Sequence, residues 1–207
     1  TATVDAEART GCKADDNALV RDACIKSFIA TFGRRALRRP LTSEEIGGYF
    51  ELFSSAFPLY ADNPDVSPFR EGVEMILEAM LQSPDFLYRV ELGEGLAPFT
   101  QNDETLIPLT SYEMATRLSY FLWGTTPDDE LLDLAEAGGL ASREQVEAVA
   151  RQMLESPRAH DAVARFHQEW LDYDRINSVT KDPTLFPAWS PAIGAPMQEE
   201  LRTFIDH

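Results

Sequence analysis

Basic residues, histidines, cysteines and long apolar runs are all scarce in this sequence of 207 residues. The 18 lysines and arginines are outnumbered by 35 aspartates and glutamates, and the formal net charge of -17 would repel phosphate backbones and anionic lipid headgroups. No apolar run approaches the roughly 20 residues that span a bilayer. The first residues also lack the basic-then-apolar pattern of a signal peptide, so we expect any export signal to lie upstream or to have been removed. The sequence predicts neither nucleic acid nor membrane insertion as part of its function.

Motifs for nucleophilic, haem and metal chemistry are missing as well. No GxSxG motif occurs, and 3 histidines and 2 cysteines leave little material for a catalytic triad. Covalent haem attachment needs a CxxCH motif, and no histidine follows either Cys12 or Cys24. His160 and His167 would lie about 10 Å apart along a helix, which is too far for one zinc ion. We therefore predict no catalytic residue, no cofactor and no metal site in this chain.

The two cysteines are predicted to form a disulfide. One continuous helix from Cys12 to Cys24 would separate them by roughly 18 Å, beyond the limit of about 7 Å for such a bond. The run Asp15-Asp16-Asn17 offers a helix N-cap, so residues 11–14 can fold back along the next helix and bring the cysteines together. The alternative is two unrelated buried thiols. A disulfide in so small a loop would contribute about 3 kcal/mol and would favour a periplasmic or secreted location.

What the sequence does contain is a series of helix starts. Three capping boxes are predicted: Thr42 with Glu45, Thr110 with Glu113, and Ser142 with Gln145. A hydroxyl residue also precedes proline at Ser67-Pro68, Ser83-Pro84, Thr126-Pro127, Ser156-Pro157 and Ser190-Pro191. One-sided apolar stripes follow these starts. The pattern predicts an all-α fold, a multi-helix orthogonal bundle of about eight to nine short helices without a significant sheet.

Loops rich in glycine, proline and acidic residues suggest how the chain is divided. Residues 93–108 read as the likeliest boundary. They would connect an N-terminal helical region, residues 1–92, to a C-terminal one, residues 109–207, which we expect to be truncated. Because no Ser/Gly-rich linker is present, the two regions are expected to pack together.

Four arginines interrupt this acidic background: Arg34, Arg35, Arg38 and Arg39. We predict a joint between two helices, in which one helix ends at Phe32-Gly33 and Thr42 begins the next. The arginines could bind an anionic ligand such as a sulfated or uronic polysaccharide, because guanidinium groups donate in pairs to such anions. They could also pair with carboxylates of the same chain or with another domain. We favour internal pairing.

Other polar and aromatic residues are given structural roles. Arg117 follows Glu113 by one helical turn, and Arg89 is close to Glu91 in sequence, so ion pairs are expected within each couple. Trp170 lies on an apolar stripe and Trp123 ends one, so both are expected in the core. Trp189 lies between Pro187 and the Ser190-Pro191 pair and is predicted to be the most exposed tryptophan.

Four segments from residue 28 to the C-terminus resemble, in order, the planctomycete secreted domain type of bacterial protein. They are GRRALRRPLT, SPDFLYRVELGE, LTSYEMATRLSYFLWGTTPDDEL and RFHQEWLDYD. The resemblance implies secretion, a helical fold and a large multidomain protein, often associated with c-type cytochrome domains. Any haem would then be carried by another domain. The family brings no established catalytic residues that could be carried over to this sequence.

Together, these observations predict a non-catalytic helical module for structure or interaction within a large secreted protein. Its partners would be the remaining domains of that protein. An alternative is a part of an extracellular enzyme, or of a cytochrome-linked redox assembly, that acts on polymers such as polysaccharides.

Overall fold

A computed structural model describes the backbone of residues 2–205 and the side chains of residues 5–190 and 192–205. This part of the chain is largely α-helical, and the predicted all-α class is confirmed. Its ten α-helices are α1 (Ala2–Thr10), α2 (Ala18–Leu37), α3 (Ser43–Leu59), α4 (Pro68–Leu81), α5 (Pro84–Leu87), α6 (Ser111–Leu122), α7 (Asp129–Glu136), α8 (Arg143–Leu154), α9 (Pro157–Leu171) and α10 (Gly194–Ile205). Short 3₁₀ helices cover Tyr173–Ser178 and Pro191–Ile193. Within these bounds, no helix combines the length and the apolar character that crossing a bilayer requires.

The helix starts follow local capping chemistry, with two deviations. The three predicted capping boxes, at Thr42, Thr110 and Ser142, are present. Ser67, Ser83 and Ser156 each cap the helix that begins with the following proline. Thr126-Pro127 does not begin a helix. Asp128 caps α7 instead, because its carboxylate accepts the N–H of Leu131 at 3.0 Å. Ser190 opens a 3₁₀ turn, which then leads into α10.

A small hairpin lies inside the predicted loop of residues 93–108. Strands β1 (Phe99–Gln101) and β2 (Glu104–Leu106) pair antiparallel, with Phe99 opposite Leu106. The turn residues Asn102 and Asp103 both have positive φ angles, 51° and 64°, as a two-residue type I′ turn requires. Three-residue strands with mostly exposed side chains give no clear alternation of apolar and polar residues, so the sequence pattern missed them.

The chain divides into two compact units. The first comprises Thr1–Arg117 with Thr126–Ala141, and the second comprises Leu118–Thr125 with Ser142–His207. The division proposed from the sequence at residues 93–108 stays a prediction.

The core of the first unit is centred on Phe53 of α3. Its side chain is 1% exposed and makes edge-to-face contacts with Phe57 and with Phe69 of α4. The helices α3 and α4 approach closely at Gly72, where an added Cβ would lie 2.6 Å from the Phe53 ring and 2.7 Å from the Phe53 carbonyl oxygen. A larger residue at position 72 would therefore collide with backbone atoms.

The predicted helix end at Phe32-Gly33 is wrong, because α2 continues to Leu37. Because Gly33 has no side chain, Leu41 can pack closely against α2. A Cβ there would lie 2.6 Å from a methyl carbon of Leu41. The helix ends where Arg38 adopts the left-handed conformation, with φ 61° and ψ 22°. Gly33 therefore allows close packing inside α2 and does not terminate the helix.

Cys12 and Cys24 form a disulfide with a Cα–Cα distance of 5.7 Å. The fold-back predicted from the sequence is present. The helix α1 ends at Thr10, the following Gly11 has a φ of 72°, and Asn17 caps α2 by accepting the N–H of Val20. The disulfide thus joins the turn after α1 to the second turn of α2.

The second unit contains α8, α9, α10 and the 3₁₀ helix of residues 173–178. Trp123 is half-buried there. Its Nε1 donates to the Met153 carbonyl oxygen at 3.0 Å, and the guanidinium of Arg158 lies 4.7 Å from the centre of its ring system. Gln198 of α10 donates to both the Tyr173 carbonyl and Asp174, which attaches α10 to the 3₁₀ helix.

Candidate functional site

The arginine joint is our name for the four arginines at the carboxyl end of α2: Arg34, Arg35, Arg38 and Arg39. The first two form ion pairs with the acidic helix α7, which belongs to the same unit. Arg34 donates to Asp133 at 2.6 Å and to Glu136 at 3.1 Å, and Arg35 donates to both carboxylate oxygens of Asp129. The hydrogen bonds from Arg35 lower the pKa of Asp129. These two arginines therefore join α2 to α7.

Arg38 is the buried member of the joint, with 4% of its surface exposed. Its guanidinium donates to the carbonyl oxygens of Ala36, Asp85, Phe86 and Tyr88. Three of these acceptors lie in and just after α5. Because carbonyl groups at a helix end have no partner within the helix, Arg38 satisfies them and fixes α5 against the end of α2. The sequence predicts an anionic ligand, carboxylates or another domain as partners of Arg38, and it gives no signal for these backbone acceptors.

Arg39 forms the most extensive charged contact of the joint. It donates to the two Glu45 oxygens at 3.0 and 2.8 Å and to Asp85 at 3.0 Å. Glu45 also accepts the backbone N–H of Thr42 at 2.7 Å as part of its capping box. The Arg39 hydrogen bonds, opposed by partial burial and helped by the Thr42 N–H, lower the pKa of Glu45 to about 2. The start of α3 is thus held to the end of α2.

A pH-dependent stability is expected from Glu45. Because its folded pKa lies below the ordinary 4.5, its stabilisation is complete above pH 4.5 and is lost as the pH falls toward about 2. Glu45→Gln keeps a side chain that suits a capping box but removes the charge. It should lower the unfolding free energy by about 1 kcal/mol at pH 7, since a partly exposed pair is screened by solvent. In urea titrations, the difference from wild type should shrink between pH 5 and pH 2.5.

Glu44→Gln is the matched control, because Glu44 is exposed and is also in the first turn of α3. It should change the unfolding free energy by only a few tenths of a kcal/mol. Equal losses for the two variants, or a loss at Glu45 that persists at pH 2.5, would contradict the assignment.

Glu113 and Glu91 attach the segment after α5 to α6. Glu113 accepts the N–H groups of Leu92 and Gly93 in addition to that of Thr110. Burial raises its pKa, but these backbone donors outweigh burial, so the pKa is lowered. Glu91 pairs with Arg117. The expected pairing of Arg117 with Glu113 is therefore wrong, because the Glu113 oxygens accept backbone N–H groups while Arg117 reaches a residue distant in sequence.

A cleft of about 480 Å³ lies beside these contacts in the first unit. Its charged lining is balanced and consists of Arg38, Arg39, Arg89, Asp85, Glu94 and Glu113. An anionic ligand would have to displace the acceptors that Arg38 and Arg39 already contact. A general acid needs a carboxyl whose pKa is raised. Glu113, in contrast, has a lowered pKa. The contacts that line this cleft cross-link helices.

Two family models match successive parts of the chain. Residues 24–91 match PSD5, a protein of unknown function (DUF1595), and residues 109–207 match PSD4, a protein of unknown function (DUF1592). Both models describe planctomycete secreted domain families, so the resemblance seen in the sequence is confirmed. No curated protein and no solved structure matches it. The arginine joint lies in the PSD5 segment, and α6 to α10 lie in the PSD4 segment.

The secreted-domain names of PSD4 and PSD5, together with the disulfide, indicate an extracytoplasmic location. His160 and His167 both fall in α9 of the PSD4 segment. The Nδ1 atom of His167 lies 2.8 Å from the Val163 carbonyl oxygen. In the described part of the chain, no three histidine, cysteine or acidic side chains are grouped so that they could hold a metal ion.

The PSD4 segment carries an exposed apolar stripe that we call the α9 face: Val163, Phe166 and Trp170. Their exposed fractions are 47%, 60% and 69%, so the expectation that Trp170 lies in the core is wrong. The Phe166 and Trp170 rings lie 5.8 Å apart, and both contact His167. Helical periodicity identified the stripe correctly but could not show whether another part of the chain covers it.

Trp189 of the PSD4 segment differs from its prediction in the opposite direction. It is only partly exposed, and its Nε1 is buried without a hydrogen-bond partner among the described residues. The ammonium of Lys181 lies 5.9 Å from the centre of its ring system and 5.5 Å from that of Phe186. Trp170 is therefore far more exposed than Trp189.

Proposed function

We propose that this chain is a non-catalytic helical module that docks onto other domains of a large secreted or periplasmic protein. The exposed α9 face is the observation that carries the proposal. Its three residues occupy one side of a four-turn helix and present two adjacent aromatic rings to solvent. Large aromatic residues on one face are typical of contact surfaces between proteins or domains. We therefore assign the α9 face to contact with an apolar surface of the same polypeptide.

The use of the charged residues supports the same conclusion. Arg34, Arg35 and Arg39 pair with carboxylates of their own unit, and Arg38 donates to backbone carbonyls. The most unusual residues of the sequence thus hold helices together. An anionic polysaccharide at these arginines stays a prediction, as does the cytochrome-linked alternative, and no contact in the described residues favours either one.

Photo-crosslinking in the full-length protein tests this function. A photoreactive phenylalanine analogue placed at Trp170, in the bacterium that exports the protein, should crosslink within the same polypeptide to a segment outside residues 1–207. The matched control is Glu169, the neighbouring exposed residue of α9 that lies off the apolar stripe. Its yield should be several-fold lower, because a polar flank contacts a docked domain less closely.

Mass spectrometry of the crosslinked peptides decides the result. Crosslinks from position 170 that lead only to other proteins, or yields equal to those of the control, would contradict docking within one polypeptide.

A further inference from the structure

The N-terminal strap, residues 2–16, is bonded mainly to itself. Glu7 accepts the N–H of Ala14 at 2.9 Å and pairs with Lys13 at 3.0 Å, and the Cys12 N–H donates to the Thr10 hydroxyl. Among the described residues, the side-chain hydrogen bonds and ion pairs of residues 5–16 all end on other strap residues. The polar contacts of the strap are therefore largely internal.

In residues 5–16, the strap is attached to the rest of the first unit by the continuous backbone, by the disulfide and by small buried side chains. Ala6 and Cys12 are 5% and 1% exposed and belong to the same buried cluster as Ile25, Ile76 and Met80. The helix α1 packs along α4. Alanine buries little apolar area, so its packing contributes less than that of a larger side chain. The disulfide supplies much of the attachment.

The match to a family model marks the strap as separable. The PSD5 match begins at Cys24, so the strap precedes the matched segment, and only the partner cysteine of the disulfide lies within it. Once the disulfide is reduced, the strap is expected to separate from the core.

We propose that the strap is a redox-controlled cover over an apolar surface of α2 and α4, closed by the Cys12–Cys24 disulfide and opened by a dithiol reductant. Opening exposes side chains such as Ile25, Ile76 and Met80. In an oxidising extracytoplasmic compartment the closed state is the resting state. The cover opens only where a reducing dithiol protein reaches it.

A dithiol reduces the Cys12–Cys24 disulfide in two thiol–disulfide exchange steps. A reductant thiolate attacks Cys24 Sγ, the more accessible sulfur because Cys12 is buried, and forms a mixed disulfide. The electron pair of the broken S–S bond leaves on Cys12 Sγ, which takes up a proton. The second reductant thiol then attacks the mixed disulfide and releases Cys24 as a thiol. The protein gains two electrons and two protons, and the dithiol becomes a disulfide.

Hydrogen exchange and trypsin cleavage of the folded chain test the cover. With dithiothreitol as the dithiol probe, exchange at the Gly11 and Ala14 amides should become about 100-fold faster, while amides of α2 and α4 should change only a few-fold. Trypsin should then cleave after Arg9 and Lys13, which are exposed side chains in the strap. Fluorescence of an apolar dye should increase as the covered surface opens.

The Cys12→Ser, Cys24→Ser double variant separates opening from the reductant itself. It should show fast strap exchange without dithiothreitol and no further change when dithiothreitol is added. The proposal is overturned if the strap stays protected after reduction. It is equally overturned if α2 and α4 lose protection together with the strap, or if the double variant does not fold, because the strap would then be an inseparable part of the core.

Discussion

Arg38→Met should lower the free energy of unfolding by about 3 to 5 kcal/mol. Methionine fills part of the space but donates no hydrogen bond. The carbonyl oxygens of Ala36, Asp85, Phe86 and Tyr88 would lose their donor in a largely buried place. Urea denaturation followed by circular dichroism at pH 7 measures the loss.

Two matched variants identify its cause. Arg35→Met removes an exposed ion pair from the preceding turn of the same joint and should cost less than about 1 kcal/mol. Arg38→Gly removes the guanidinium but relieves the left-handed backbone, so it should be about 1 kcal/mol more stable than Arg38→Met. A loss at Arg38 no greater than that at Arg35 would show that the four carbonyl contacts contribute little.

Gly72→Ala should lower the unfolding free energy by about 2 kcal/mol, although alanine is the better helix former. The added Cβ would meet the Phe53 ring and also the Phe53 carbonyl oxygen, which cannot move without shifting α3. The expected result is a helix pair forced apart at its closest point. Denaturant titration gives the free energy.

Gly47→Ala is the control with the opposite sign. Gly47 also lies in a helix, α3, but a Cβ there meets no atom within 4 Å. It should raise stability by about 0.5 to 1 kcal/mol, because alanine restricts the unfolded chain and favours the helix. Changes of the same sign at the two glycines would contradict the close approach of α3 and α4.

Local chemistry was predictable from the sequence, because its partners are a few residues apart. The boxes at Thr42 and Ser142 and the fold-back that joins Cys12 to Cys24 depend on neighbours within one or two turns. A second capping residue nearby can still make such a prediction wrong. Thr126 was predicted to cap a helix, but Asp128 caps α7, because its carboxylate is a strong acceptor for the N–H groups of a first turn.

Contacts between distant residues were not predictable in the same way. Arg117 pairs with Glu91, and Arg38 reaches carbonyls of α5, across separations that no periodicity encodes. Internal pairing of the other joint arginines followed from the surplus of carboxylates, but the identity of each partner did not. The packing role of Gly33 could not be predicted either, because only the folded chain brings Leu41 against it. The apolar stripe on α9 could be predicted from the sequence, whereas its exposure to solvent could not.

The hairpin of residues 99–106 has a consequence for engineering. The segment that contains it begins and ends at nearly the same point, since a Cβ on Gly93 would lie 2.2 Å from the Pro108 carbonyl oxygen. It also falls between the stretches matched by the two family models. A change in its length costs mainly loop-closure entropy, which grows slowly with the number of residues. The turn at Asn102-Asp103 is therefore the natural place to insert an epitope tag or a fluorescent reporter.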